Sequence, residues 1–150
     1  MEREGLYFED FQTDTVYTTE RRTVTETDHT NFTTSFGFLE PLFVDQAYVA
    51  AETPYQKPIV PGALTFTIAE GLTILSGILH KTGMAFLGCE LDVRQPVFIC
   101  DSLTVEITVV AKRESKKSDR GIVTFLQRVI NQDGEAVMEY RIKRMLRRKP

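Results

Sequence analysis

The chain has 150 residues, of which 42% are hydrophobic and 26% charged, with 18 Lys and Arg against 21 Asp and Glu and a net charge of −3. This length and apolar content predict one domain, residues 1–150, with its own core, and exclude an intrinsically disordered chain and a cysteine-dense disulfide scaffold. The small net charge argues against a protein that chiefly neutralises nucleic-acid phosphates, so we expect no nucleic-acid partner.

The N-terminal sequence MEREGLYFEDF is charged and acidic, unlike a signal peptide. The longest apolar stretch, residues 63–79, contains Glu70 together with glycines and threonines, and is predicted to be a buried helix rather than a membrane span. Cys89 and Cys100 are predicted to be small buried side chains, and no Cys/His cluster has the spacing of a metal site. We therefore expect a cytoplasmic protein that has no membrane partner and no metal.

The first part of the chain is predicted to alternate short extended segments with a short helix. Residues 6–11 and 16–24 are the extended segments. Thr25 followed three residues later by Asp28 is typical of a capping box at the start of a helix. Gly37 is expected to end that helix in the left-handed conformation.

A second short helix is predicted over residues 46–51 with Asp45 as its N-cap, and three prolines predict a loop over residues 53–61. Gly62 then begins a long helix that we expect to run to about residue 80. Its apolar residues recur at helical spacing around most of its circumference, which indicates a helix covered on most sides. They are Leu64, Phe66, Ile68, Leu72, Ile74, Leu75, Ile78 and Leu79.

The last part of the chain changes from helical to alternating periodicity and predicts antiparallel strands. Asp133 and Gly134 are a typical hairpin turn between two of them. The strands are expected over residues 84–95, 103–109, 121–131 and 136–143. One long helix followed by such strands predicts an α+β domain in which an antiparallel sheet wraps around the helix, the arrangement called a hotdog fold.

Four segments resemble, in order, sequences of the MaoC-like dehydratases, the (R)-specific enoyl-CoA hydratase family. They are RTVTETD at residues 22–28, GFLEPLFVDQAYVA at 37–50, TPYQKPIVPGAL at 53–64 and RQPVFICDSLTVEITVVAKRES at 94–115. The third is similar to the family's Ile-Val-His-Gly sequence, which opens the central helix. The resemblance covers nearly the whole chain and implies the hotdog fold and an acyl-CoA ligand. The chain is identified as a divergent member of this family.

The family's catalytic motif is altered in this chain. Members hydrate trans-2-enoyl-CoA with an Asp and a His supplied by a Gly-Asp-X-Asn-Pro-X-His sequence, which aligns with residues 37–43. Phe38 stands at the position of the Asp and Phe43 at that of the His. A phenyl ring cannot accept or donate a proton, so this pair cannot perform the family's acid–base chemistry. Glu40, at the Asn position, is the remaining ionisable group and a candidate catalytic residue.

The start of the long helix matches the family better. There the glycine of His-Gly donates its amide to the thioester oxygen, and the resemblance assigns that role to Gly62, with Pro61 in place of the His. A helix N-terminus suits this task because its unpaired N–H groups and positive dipole end favour negative charge. The alternative is that Gly62 serves only a tight turn into the helix. The expected acyl pocket comprises Phe38, Phe43, Tyr55 and Leu64.

Other ionisable groups give further candidates. Glu70, within the long helix, is a candidate acid–base, as in hotdog thioesterases that use a helical carboxylate; a dimer-interface hydrogen bond or a solvated position are the alternatives. Asp28 is expected to act as a cap and His29 to be a surface residue. A basic turn offers candidates for binding coenzyme A phosphates, unless it is simply a solvated hairpin. Its members are Lys112, Arg113, Lys116 and Lys117.

Three functions are compatible with these residues. The chain is a non-catalytic, tunnel-widening subunit of a hydratase, an active hydratase with a displaced acid–base, or a thioesterase or hydrophobic-ligand binding module. In each, the ligand is an acyl-CoA or another acyl thioester, and no separate cofactor is expected. A single hotdog leaves much of its apolar helix uncovered, so we expect a homodimer, or a heterodimer with another hotdog protein.

Overall fold

Short elements precede the central helix in the computed structural model, which describes residues 4–150. They are a 3-10 turn (Phe8–Asp10), β1 (Val16–Thr18), β2 (Arg22–Thr23), α1 (Glu26–Phe36), α2 (Pro41–Val44) and α3 (Gln46–Glu52). The predicted capping box is confirmed, since Asp28 N–H donates to Thr25 Oγ1 and Thr25 N–H donates to Asp28 Oδ2. Gly37 ends α1 at φ 77°, and Asp45 caps α3, both as predicted. Helix α2 was not predicted.

The central helix, α4 (Gly62–Leu75), ends five residues before the predicted boundary. Gly77 adopts φ 83°, a left-handed conformation that turns the chain out of the helix. The N-terminal segment also crosses here, because Gly5 N–H donates to the His80 carbonyl at 2.8 Å. A β carbon at Gly5 would lie 2.5 Å from His80 N, so only glycine permits this approach. The predicted extension to residue 80 was wrong because the apolar periodicity continues past Leu75, whereas Gly77 turns the chain out of the helix.

The sheet consists of the predicted long strands, with two short N-terminal strands added at one side. The long strands are β3 (Gly83–Val93), β4 (Ser102–Glu114), β5 (Arg120–Ile130) and β6 (Ala136–Arg147). The order is β1-β4-β5-β6-β3, with β2 also on β4, and every pair is antiparallel. Gly134, at φ 78°, makes the predicted turn between β5 and β6. The α+β hotdog fold is therefore confirmed.

Helix α4 packs on one face of the sheet and buries part of the predicted apolar stripe, including Leu64, Ile68 and Leu72. Opposite them, alternate residues of the strands are fully buried. Ile74 and Leu75 are 65% and 81% exposed, so the protomer alone leaves part of the predicted stripe uncovered, as expected for a single hotdog. The protomer covers α4 on its sheet side and leaves the last turn uncovered. No helix among residues 4–150 is long and apolar enough to cross a bilayer.

Strand β3 lies at the edge of the sheet, with β6 as its neighbour on one side. Five of its large apolar side chains are exposed: Met84, Phe86, Leu87, Leu91 and Val93. Cys89, on the same strand, and Cys100, at φ 79° in the turn before β4, are both free and exposed. The prediction that the cysteines are buried was wrong because one occupies an edge strand and the other a turn. Apolar neighbours in sequence did not distinguish these positions from the core.

Candidate functional site

The N-terminus of α4 opens toward solvent at Gly62. Gly62 is the first helical residue and is exposed, while its N-cap, Pro61, is buried and makes no side-chain cap hydrogen bond. In the described part of the chain, residues 4–150, the N-cap side chain therefore accepts no hydrogen bond from the first turn of α4. The N–H groups of the first turn and the positive end of the helix dipole meet here, which suits an oxygen that gains negative charge.

The contacts of Gly62 leave room beside it. A β carbon at this position would meet Val93 Cγ2 at 3.6 Å, an ordinary van der Waals distance. The φ angle of Gly62 is outside the left-handed region. Neither sterics nor backbone strain within the protomer requires glycine here. The interpretation that Gly62 serves only a tight turn into the helix therefore finds no support in these contacts.

Phe38 and Phe43 pack against each other. Their ring centroids are 6.1 Å apart, and Phe38 also packs on Phe32 at 5.0 Å, which packs on Phe36 at 5.3 Å. We call these four rings the phenyl cluster. It joins the end of α1 to α2. Phe38 and Phe43 are therefore part of a continuous apolar surface.

A groove of about 460 Å³ runs between α1 and α4 beside the phenyl cluster. Phe32 and Phe36 line it from α1, and Leu64, an expected pocket residue, lines it from α4. At its rim Arg22 Nη2 donates to Asp28 Oδ1 at 2.7 Å. Burial alone would raise the pKa of Asp28. The hydrogen bonds from the capping box and from Arg22 outweigh burial, and the pKa is lowered. The groove is thus apolar along its walls and charged at one end.

A second cavity, of about 570 Å³, is lined by the other face of α1 and by residues of α2, including His29, Thr33 and Phe43. His29 is only 6% exposed, so the prediction that it is a surface residue was wrong. Its Nε2 lies 2.7 Å from the carbonyl oxygen of Phe43. Sequence reasoning missed it because the buried face of α1, with His29 and Thr33 four residues apart, is polar and lacks an apolar stripe.

Two other expected residues lie apart from the phenyl cluster. Glu40 is the exposed N-cap of α2 and makes no side-chain cap hydrogen bond. The Tyr55 ring packs edge-on against Phe98 at 6.3 Å, and Lys57 Nζ lies 5.2 Å from the centre of the same ring. The structure thus packs Phe38 and Phe43 together and places Leu64 in the groove, but it leaves Glu40 in solvent and Tyr55 in a separate aromatic contact.

Glu70 belongs to a buried polar cluster between α4 and the sheet. Arg144 Nη2 donates to both carboxylate oxygens of Glu70 at 2.8 Å, and Tyr140 OH donates to Oε1 at 2.8 Å. Gln127 Nε2 donates to Tyr140 OH at 2.7 Å and to Thr73 Oγ1 at 2.9 Å. Burial and then the Glu70 carboxylate raise the pKa of Tyr140 far above its usual range, which keeps the hydroxyl protonated as a donor.

The position of Glu70 separates it from the helix N-terminus. It follows Gly62 by eight residues, which is about 12 Å along a helix rising 1.5 Å per residue. Both of its carboxylate oxygens accept from Arg144, so it is neither solvated nor free to bind a partner chain. The ion pair within the chain was not among the expected alternatives. Arg144 is 74 residues away, and this distance hid the pairing from sequence analysis.

The basic turn lies at the far end of the sheet from Gly62. Part of β6 lines the small cavity beside Gly62. That part of β6 pairs with β5, which in turn pairs with Val105 of β4, so Val105 and Gly62 lie at the same end of the sheet. Glu114 ends β4 nine residues later, about 30 Å away at 3.4 Å per residue. Lys112 Nζ lies 4.4 Å from the centre of the Phe8 ring. The exposed members are Arg113, Lys116 and Lys117. Nothing in the protomer brings these residues to Gly62.

Comparisons with known proteins find relatives of this chain by sequence and by fold. The family model described as MaoC like domain matches residues 10–129. A curated (R)-specific enoyl-CoA hydratase from Aeromonas caviae is 38% identical over 94 residues, which make up 63% of this chain and 65% of that protein, so the match spans less than two thirds of the relative's length.

Two solved structures are similar over almost their full length. A monoamine oxidase regulatory protein from Archaeoglobus fulgidus superposes with a TM-score of 0.91 at 31% identity, covering 100% of this chain and 99% of the other. A MaoC-like dehydratase from Rhodospirillum rubrum superposes with a TM-score of 0.88 at 29% identity, covering 97% of this chain and 99% of the other.

Proposed function

The chain belongs to the MaoC-like domain family, and we propose that it binds an acyl-CoA thioester as the non-catalytic, tunnel-widening subunit of an enoyl-CoA hydratase. The observation that carries this proposal is the contact between Phe38 and Phe43, whose rings lie 6.1 Å apart at the two positions of the family's proton-transfer pair. Two phenyl rings cannot move a proton, but they extend an apolar wall.

The surroundings of the two rings support acyl binding. The phenyl cluster borders the groove between α1 and α4, where Leu64 and Ile68 form the opposite wall. Burial of an acyl chain against such walls is favoured by the hydrophobic effect. Gly62 lies at the start of the same helix, and its exposed position offers an amide donor to the thioester carbonyl. An apolar groove with one polar end fits a long apolar ligand with one polar group.

The remaining carboxylates do not supply the missing chemistry. Glu40 is exposed and caps nothing, so no neighbour orients it toward the groove. Glu70 accepts three hydrogen bonds from Arg144 and Tyr140 and lies about 12 Å from Gly62 along the helix. These contacts disfavour both a displaced hydratase base and a thioesterase base.

A second hotdog chain is the partner that this proposal requires. The edge of β3 exposes Phe86, Leu91 and Val93, and the last turn of α4 exposes Ile74 and Leu75. A long apolar edge strand is a template for pairing with another strand. We propose that β3 joins the sheet of a second hotdog, which contributes the Asp and His in a heterodimer. The two free, exposed thiols fit a reducing, cytoplasmic compartment.

The test separates binding from turnover. The purified chain should bind crotonyl-CoA in a calorimeter and show no loss of enoyl absorbance. Turnover should appear, with a changed preference for acyl length, when a hotdog subunit carrying the Asp and His motif is added. Hydration by the chain alone that Glu40→Ala abolishes would overturn the proposal in favour of an active hydratase. Thiol release that Glu70→Gln abolishes would overturn it in favour of a thioesterase.

A further inference from the structure

His29 connects α1 to the segment that carries Phe43. It is the fourth residue of α1 and is 6% exposed, and its Nε2 lies 2.7 Å from the Phe43 carbonyl oxygen. Helix α2 has only four residues, and its N-cap, Glu40, makes no side-chain cap hydrogen bond. So short a helix has little stability of its own and depends on contacts with its neighbours. The bond from His29 is such a contact.

The chemistry of the bond fixes the tautomer of the ring. A carbonyl oxygen only accepts, so Nε2 must carry the hydrogen and donate it. In the neutral ring Nδ1 then holds a lone pair. Nδ1 of His29 is buried and has no hydrogen-bond partner among residues 4–150. Burying the neutral ring in this way costs little free energy, because the unpaired nitrogen is an acceptor rather than a charged donor.

Protonation changes this balance. Nε2 can still donate to Phe43, but Nδ1 gains a hydrogen that finds no buried acceptor while the ring becomes a cation, so the buried position of the ring becomes unfavourable. The first turn of α1 adds its positive dipole end. The charged groups that line the same cavity are Glu26 of α1 and Lys57 of the loop before α4, which have opposite signs. Solvation of the charged ring therefore requires α1 and α2 to separate.

We propose that His29 is a proton-sensitive clamp that holds the α2 segment, and with it Phe43, against α1 while the ring is neutral. Acid releases the clamp and widens the cavity that His29 and Phe43 line, which measures about 570 Å³ with the clamp closed. The consequence for ligands rests on the proposed acyl-thioester function, because Phe43 is part of the phenyl cluster beside the groove. The clamp itself does not depend on that function and is tested without any ligand.

The first experiment uses the fact that the chain has two histidines. His80 is exposed, and its described contact with Gly5 uses its backbone. The His80→Gln variant therefore leaves His29 as the single imidazole in a folded chain. Nitrogen-15 NMR of that ring should show the Nε2–H tautomer at about pH 8. The Nδ1–H tautomer, or a ring that exchanges rapidly between both, would overturn the proposal.

The second experiment follows amide hydrogen exchange, as protection factors, from about pH 8 to about pH 5. The reporters are the amides of Phe43 and Asp45, which donate to Glu40 and Pro41 within α2. Their protection should fall about tenfold with acid, the size expected for one hydrogen bond with its desolvation, while amides of β5 stay protected. Constant protection of these reporters in the unmodified chain would overturn the clamp.

Two variants of His29 sharpen the result. Gln places an uncharged amide donor near the position of Nε2, so His29→Gln should keep the protection of the α2 amides and abolish its dependence on pH. His29→Ala removes the donor and should lower protection at every pH. Protection in His29→Ala equal to that of the unmodified chain would overturn the proposal, and so would a pH dependence that persists in His29→Gln.

A third measurement tests the link to the ligand. Crotonyl-CoA affinity should weaken in acid in the unmodified chain and stay constant in His29→Gln, with His80→Gln as the control that retains the response. If the chain binds no acyl-CoA at any pH, the proposed function fails while the exchange and tautomer data still decide the clamp. If it binds with the same affinity throughout, control of the ligand by the clamp is refuted.

Discussion

The guanidinium Nη2 of Arg144 lies 2.8 Å from both carboxylate oxygens of Glu70 and ties α4 to β6 across 74 positions of sequence. Both side chains are largely buried, at 9% and 16% exposed. Breaking such a pair on one side leaves a buried charge without its partner. We therefore expect Glu70→Gln to cost about 3 kcal/mol of unfolding free energy, measured by denaturant titration.

A matched control is available on the surface. Arg128 and Glu106 form a pair at 3.3 Å with side chains 42% and 39% exposed. Because solvent screens an exposed pair, Glu106→Gln should cost less than about 1 kcal/mol. Equal costs for the two variants would mean that the Glu70 cluster does not hold α4 on the sheet.

The role of Gly62 is tested by two substitutions at one position. Proline is tolerated at the first position of a helix and removes only the amide hydrogen, and Pro61 before it already has ψ 136°, which a following proline permits. Gly62→Pro should fold as the unmodified chain does and bind crotonyl-CoA about tenfold more weakly, the loss expected for one hydrogen bond. Calorimetry gives the affinity.

The companion substitution at this position, Gly62→Ala, keeps the amide and places its β carbon 3.6 Å from Val93 Cγ2. It should bind crotonyl-CoA as the unmodified chain does. If Gly62→Pro also binds without loss, the amide of residue 62 is not a thioester donor.

Reinstating the family's motif tests the alignment. The double variant Phe38→Asp, Phe43→His should hydrate crotonyl-CoA weakly, measured by loss of enoyl absorbance, since the two rings it replaces lie 6.1 Å apart at the family's positions. Its stability should fall by about 2 kcal/mol, because two half-buried rings are lost. The matched Phe38→Ala, Phe43→Ala variant should be equally destabilised and inactive. A folded, inert Asp/His variant would show that the alignment of residues 37–43 is wrong.

The Cys89 thiol gives a pH-dependent prediction. Although Cys89 is exposed as a residue, partial burial of its thiol, and then the nearby Glu70 carboxylate, raise the pKa of Cys89 despite the opposing Arg144 charge. The thiolate, which is the reactive form, is therefore scarcer at neutral pH than for an ordinary thiol. Alkylation of Cys89 should be slow at neutral pH and should accelerate as the pH rises past the usual pKa range of a thiol. The rate is measured by mass spectrometry in a Cys100→Ser chain. A rate already at its maximum at neutral pH would contradict this.

Local patterns predicted the features that local chemistry determines. Periodicity gave the long strands, and Thr25, Gly37 and Asp45 marked helix ends where the structure has them, because caps act within a few residues. The contact between Phe38 and Phe43 joins residues only five positions apart. These features need no information from distant parts of the chain.

Long-range contacts account for what was missed. The ion pair of Glu70 depends on Arg144, 74 residues later in the sequence. The burial of His29 depends on α2, whose four residues carry no periodic signal. Each of these partners lies too far away in sequence, or in too short an element, for a pattern to reveal it.

The uncovered edge of β3 has a consequence for how the chain is produced. An apolar edge strand that meets no partner is a template for indiscriminate strand pairing, which leads to aggregation. Glu90 and Asp92 on the same strand oppose stacking of many copies through like-charge repulsion. In the proposed heterodimer, we expect the chain to accumulate in soluble form in proportion to the second chain, with any surplus lost to precipitation or proteolysis. The amount of folded chain in a cell would then be set by synthesis of the second chain rather than by its own.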